Sequence, residues 1–196
     1  PAATLAICLG LTGPCATVCQ WDNPVAPALA TAEQWLREGR AKRVLFGAAD
    51  ECTTFLEETS ARLSARKAAR ASGAHPRVPL GEGAVFFCLE DREKGRFYGE
   101  IGRVELGVDP ADSAPQTGFF VSGRVPPEWG ALPGVIRALP AYGNIPIAQA
   151  LDLAVFFAQA DTFPGGKTAC VHFGRDGLAD IVRAAGKSGD RAGPGI

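Results

Sequence analysis

The segment Leu11–Leu36, LTGPCATVCQWDNPVAPALATAEQWL, constrains the fold more than any other in this chain. An apolar run, Ala16-Thr17-Val18-Cys19, meets a tight Gln-Trp-Asp-Asn-Pro turn. A long apolar stripe then follows, with Val25, Leu29, Ala32 and Leu36 spaced at i, i+4, i+7 and i+11. That order predicts a short buried strand, a turn and an amphipathic helix. Asn23 and Pro24 read as the N-cap and first helical residue, and Glu38-Gly39-Arg40 as the stop. Arg43–Gly47 then reads as a buried strand of a parallel sheet. A strand-to-helix turn of this kind is where acyl-transferring enzymes place a Cys or Ser. There the helix N-terminus lowers a thiol pKa and backbone N–H groups can hold an oxyanion. Here the turn carries Asp22.

Further along, a second helix is expected over Phe55–Ala71, and strands over Ala84–Glu90, Gly99–Leu106 and Gly118–Val121. A helix at Pro146–Ala160 leads into a strand at Thr168–Phe173. Strands alternating with helices indicate an α/β protein with a mostly parallel core sheet. One domain is expected over residues 1–186, with a Gly-rich mobile tail over 187–196. Pro1 at the start and the lack of methionine point to missing residues or an excised piece.

A net charge of −1 gives no general pull toward nucleic acid or an anionic membrane. No apolar run approaches the ~20 residues that span a bilayer, and no signal peptide opens the chain, so a cytoplasmic protein is the default. The six cysteines form no CxxC pair and have no histidine at metal spacing, so no metal or cofactor is expected. Cys8, Cys15, Cys52, Cys88 and Cys170 are expected to be buried as small hydrophobes.

Four segments, in order, resemble the β-ketoacyl-acyl-carrier-protein synthases. GPCATVCQWD, ending at Asp22, is similar to the family's GPSxTVDTAC, which ends in the nucleophilic cysteine. VLFGAAD (Val44–Asp50) matches the strand after the nucleophile helix, and GEGAVFFCLE (Gly81–Glu90) is close to GEGAGVLVLE. YGNIPIAQA (Tyr142–Ala150) and FGRDGLADIV (Phe173–Val182) stand where the family has KSNIGHTEAA and GFGGTNAHVV. The resemblance implies a thiolase-like fold, layered α-β-α-β-α around mixed, mostly parallel sheets, incomplete to the extent that the chain is short.

The departures from the family are systematic. Asp22 holds the nucleophile position, no HGTGT motif occurs, and Asn144-Ile145-Pro146-Ile147 lacks the histidine of NIGH. Claisen condensation needs a thiolate for the acyl chain and two imidazoles for decarboxylation and enolate stabilisation. The resemblance therefore implies a chain-length-factor-type subunit of fatty-acid or polyketide assembly, such as an aryl-polyene pathway. It would act as the non-catalytic partner of an active ketosynthase, as a hetero- or homodimer, and alongside an acyl carrier protein. Its dimer interface would be built around the Arg43–Asp50 strand. The vestigial site would comprise Asp22, Asn144, Phe173 and Gly174. The alternative is an active acyltransferase or 3-oxoacyl synthase with Cys19, three residues before Asp22, as nucleophile.

Each of these residues also has a plainer reading. Asp22 suits a helix N-terminus, where its carboxylate complements the macrodipole. Cys19 suits core packing. His172 suits an alternating strand position with its ring hydrogen-bonded, and His75 an inert loop. Arg62, Arg66 and Arg70 share one face of the second helix at i, i+4 and i+8, and either dock an acidic carrier or are solvated. Gly81-Glu82-Gly83 lacks the context of a phosphate loop and reads as a close backbone approach.

Overall fold

The computed structural model describes residues 2–20, 22–68, 79–91, 97–110, 118–137, 141, 143, 145–174 and 176–186, without the side chains of 63–68 and 164. Helix α1 (Ala2–Leu9) leads through an arm with no regular structure to α2 (Val25–Arg37). Strand β1 (Arg43–Asp50), α3 (Thr54–Ala68), β2 (Gly83–Glu90) and β3 (Gly99–Val108) follow. Then come β4 (Phe119–Gly123), the single-turn α4 (Pro127–Gly130), β5 (Val135–Ile136), α5 (Ala148–Ala158), β6 (Lys167–Phe173) and β7 (Ala179–Gly186).

Five strands form a mixed sheet in the order β3-β7-β6-β4-β5. Strand β4 runs parallel to β5 and β6, whereas β7 is antiparallel to β6 and β3. The other sheet is a two-stranded ribbon, β1 with β2, antiparallel from Arg43↔Glu90 to Asp50↔Gly83. The β1 strand expected in a parallel sheet thus pairs antiparallel, with an Arg43–Glu90 ion pair at its end.

Helices α2 and α5 fill the space between the two sheets and touch both. Val25, Ala26, Leu29 and Ala32 bury the predicted stripe of α2. Helix α5, AQALDLAVFFA, is apolar nearly all round and is the most buried helix, as an inner-layer helix must be. Period-two alternation then assigns strand side chains to layers. Phe120, Cys170, Val182 and Ala184 face α5, while Phe119, Val121, Val171, Phe173 and Ile181 face outward and pack under Trp129 of α4. Ring contacts of 5.1–5.7 Å join Trp129 to Phe119 and Phe173, and Phe163 to Phe120 and Phe156. Each fully buried side chain of this size contributes about 1.5–3 kcal/mol.

The N-terminal arm departs from expectation. Ala16–Cys19 forms no strand and is largely exposed, because an apolar run becomes a strand only where a neighbour supplies the ladder. Helix α1 buries none of its residues, and Ile7 is 82% exposed. Cys8 and Cys15 are exposed on this arm, Cys88 on the outer face of the β1–β2 ribbon, Cys52 is half-buried, and of these five only Cys170 is buried as expected. The remaining helices and strands of the sequence reading form with shifted ends. Helix α1, α4, β5 and β7 had no counterpart in that reading. Residues 187–196 and His75 lie outside the described residues.

Candidate functional site

The turn before α2 is held by a polar clamp rather than by a simple cap. Asn23 Oδ1 accepts from Val25 N–H at 3.2 Å, although the helix begins at Val25 and Pro24, not Asn23, stands at its N-cap. Its amide nitrogen also donates to Gln149 Oε1 at 3.2 Å and to Asp180 Oδ2 at 3.0 Å. Gln149, fully buried on α5, in turn donates to the carbonyls of Cys170 and Asp180 at 2.8 and 3.1 Å. Asp180 Oδ1 accepts from Gly107 N–H at 2.8 Å. Three elements far apart in sequence thereby fix where the turn stands.

With Asn23 taking the helix end, Asp22 faces His172 instead. Asp22 Oδ1 lies 3.7 Å from His172 Nε2, beyond hydrogen-bond length. The other ring nitrogen, Nδ1, lies 3.0 Å from Ser122 Oγ, so the expectation of a hydrogen-bonded strand histidine is met. Ser122 is fully buried and His172 is 4% exposed. Burial is the largest influence on the imidazole and lowers its pKa; Asp22 and then Asp180 oppose it without reversing the direction. His172 is therefore neutral at pH 7.

Gly123 makes room for this ring. Its φ is +74°, and a Cβ there would press on the Phe173 carbonyl and lie 2.9 Å from His172 Nε2.

Two spaces lie beside the turn. At one, Gln20, Asp22, Asn23, His172, Asp176 and Asp180 line a polar cleft of about 130 Å³, with Gly107, Gly174 and Leu178 completing the wall. At the other, the arm, α2 and the outer face of the β1–β2 ribbon enclose a groove of about 620 Å³. It is apolar: Leu5, Leu11, Val18, Leu45 and Phe86 line it, with Arg43 as its one charged lining residue among those described.

Of the sequence candidates, Asp22 and Gly174 meet at the cleft. Phe173 is fully buried under Trp129, where it serves the outer core, and Asn144 lies outside the described residues. Cys19 is exposed and lines the groove, which corrects its reading as a packed core residue. Burial, with Asp152 nearby, holds the Cys170 thiol well above its usual pKa, so it offers no thiolate. Arg62 lies 3.7 Å from Glu58 on the exposed face of α3; the Arg66 side chain and Arg70 lie outside the described residues. Sequence reasoning missed Ser122, Gln149 and Asp180 as partners of this turn, since no local spacing links them to residues 22–23.

Two sheets sandwiching a buried helix pair, with the candidate site at the entry of one of those helices, define a thiolase-like fold. Solved structures with this fold include the ishigamide ketosynthase/chain length factor, at 22% identity and TM-score 0.67 over 94% of this chain. They also include AntDE, the ketosynthase of a type II polyketide synthase, solved with its acyl-carrier protein AntF, at 14% identity and TM-score 0.73 over 94% of the chain. OleA of Xanthomonas campestris, solved with cerulenin, matches at 14% identity and TM-score 0.57, again over 94%. The chain spans 60%, 63% and 67% of those chains, respectively. No protein-family model and no curated protein sequence matches it. Among the described residues, no helix is long and apolar enough to cross a membrane.

Proposed function

We propose that this chain is a ketosynthase-like subunit of polyketide- or fatty-acid-type biosynthesis, of the chain-length-factor type, that partners an active ketosynthase in the cytoplasm. The observation that carries this reading is the uncovered apolar groove with its arm. Residues 2–20 hold no charged side chain, α1 buries nothing, and Leu45 and Phe86 of the ribbon face outward at 46% and 54% exposure. Large uncharged patches of this kind mark protein–protein or ligand surfaces. A synthase partner would cover the arm, and the groove would border an acyl chain held at the joint face. Asp22 at the nucleophile turn supports a role without condensation chemistry, because a carboxylate is a poor acyl acceptor at the end of such a turn.

Co-expression with a type II ketosynthase tests this directly. The two chains should co-purify, and Phe86→Asp should abolish the complex while leaving the isolated chain folded. Co-purification unchanged by Phe86→Asp, or never obtained, would defeat the reading.

The exposure of Cys19 within the groove favours a second reading, an acyltransferase using that thiol. His172 lines the cleft rather than the groove. Intact-mass measurement after incubation with acyl-carrier protein separates the two. A mass gain on this chain alone that vanishes in Cys19→Ala establishes the enzyme; no gain leaves the partner role.

A further inference from the structure

Alternation and register fix how the Cys88 thiol stands on the β1–β2 ribbon. Leu45↔Cys88 and Gly47↔Phe86 are cross-strand pairs. Val44, Phe46 and Ala48 turn inward, so Leu45, Gly47, Phe86 and Cys88 share the outer face. A Cβ on Gly47 would lie 2.6 Å from the Phe86 ring, so that ring lies down over the glycine. The result is a flat apolar floor with an exposed thiol at its edge.

This floor belongs to the groove of about 620 Å³, and two further exposed cysteines, Cys15 and Cys19, line the groove from the arm. The volume falls within the range of small-molecule sites, about 300–1,000 Å³. Soft nucleophiles on an apolar wall select a ligand that is apolar and electrophilic at once. An α,β-unsaturated carbonyl with an alkyl tail is both. The tail leaves water on the floor, and its reactive end is then held close to a thiol, which speeds the addition. Cys8 supplies a natural contrast, since it is exposed on α1 but is not a lining residue of the groove.

We propose that this groove is a covalent capture site for an α,β-unsaturated carbonyl bearing an apolar tail, with Cys88 as the bonding thiol and Leu45 and Phe86 as the tail contacts. The Cys88 sulfur bonds to the β-carbon, the C=C π bond breaks, and the thiol proton ends on the α-carbon. Nothing leaves and nothing is oxidised. Cys15 and Cys19 bond the same class of ligand from the arm. The site goes beyond the partner role, and its test needs neither synthase nor carrier protein, so either reading can fail alone.

The test treats the full chain at pH 8 with N-ethylmaleimide or N-octylmaleimide and follows each cysteine by peptide mass mapping. The two reagents share the reacting double bond and differ in the tail. Cys88 should favour the octyl reagent over the ethyl one by about tenfold more than Cys8 does, because each methylene removed from water is worth up to about fourfold. Cys15 and Cys19 should share that preference. Cys170, fully buried, should stay unlabelled and so report an intact fold. Leu45→Ser with Phe86→Ser, both on the exposed face, should erase the octyl preference at Cys88 while the ethyl reagent still reacts there. An equal octyl preference at Cys8 and Cys88 would overturn the proposal. So would an unreactive Cys88, or a preference that survives the double serine variant.

Discussion

The two sheets of this molecule share a helical layer yet differ in how completely they are covered. The five-stranded sheet is apolar on both faces, with α5 packed on one and Trp129 of α4 on the other. The β1–β2 ribbon packs Val44, Phe46 and Ala48 inward and leaves Leu45, Phe86 and Cys88 on a face that α1 and the arm do not bury. A two-stranded ribbon is marginal by itself, so β1 and β2 depend on α2 and α5 for their place. One sheet is packed on both faces, and the other keeps an exposed apolar face.

Removing a large side chain from each sheet breaks the comparison most sharply. Phe120→Ala, in the covered sheet, should cost about 3–5 kcal/mol in urea unfolding. Phe86→Ala, on the open ribbon face, should stay within about 0.5 kcal/mol of the parent in the same measurement. Equal losses would mean that the ribbon face is covered in solution by something else. Gly123→Ala should come next, at about 1–3 kcal/mol, because its positive φ and the close Phe173 carbonyl leave a Cβ no place. Thermal unfolding checks it, with Gly39→Ala at an open helix end as the milder control. Gln149→Ala should cost a similar 1–3 kcal/mol by orphaning buried carbonyls and Asn23, read from the urea midpoint.

The smallest effect is pH-dependent. Burial lowers the His172 pKa in the folded state, so in acid the unfolded chain takes up this proton first. Stability contributed by the neutral ring is complete above the unfolded value of about 6.5. It declines as pH falls from there toward the lowered folded value. His172→Gln should flatten that part of the stability–pH curve, and a curve that keeps its slope would place the titration elsewhere.

What the sequence revealed follows from the range over which each signal acts. The stripe of α2 is a local pattern and forms where periodicity puts it, whereas the continuous apolar run of β1, read as a buried parallel strand, pairs antiparallel with one face exposed. Strand β7, ADIVRAAG, is rich in alanine and carries a weak β signal, so the pairing with β6 and β3 that makes it a strand is not visible in its own residues. Ala16–Cys19 is the converse, a run apolar enough for a strand but without a ladder to join. The site shows the same limit. Asp22 stood out by motif position, whereas Ser122 and His172 meet across strands β4 and β6, 50 residues apart in sequence. Asn23 read as a cap and proved also to be a tie to Gln149 and Asp180, which only the folded topology brings to it.

That tie has a consequence during synthesis. Asn23 and Asp180 are separated by 157 positions, and their bond joins the turn before α2 to strand β7. At about 5–20 residues per second, a ribosome takes roughly 8–30 s to make the intervening chain. Throughout that interval the turn bearing Asp22 lacks its clamp, and the nascent arm stays open to whatever chaperone or partner meets it first.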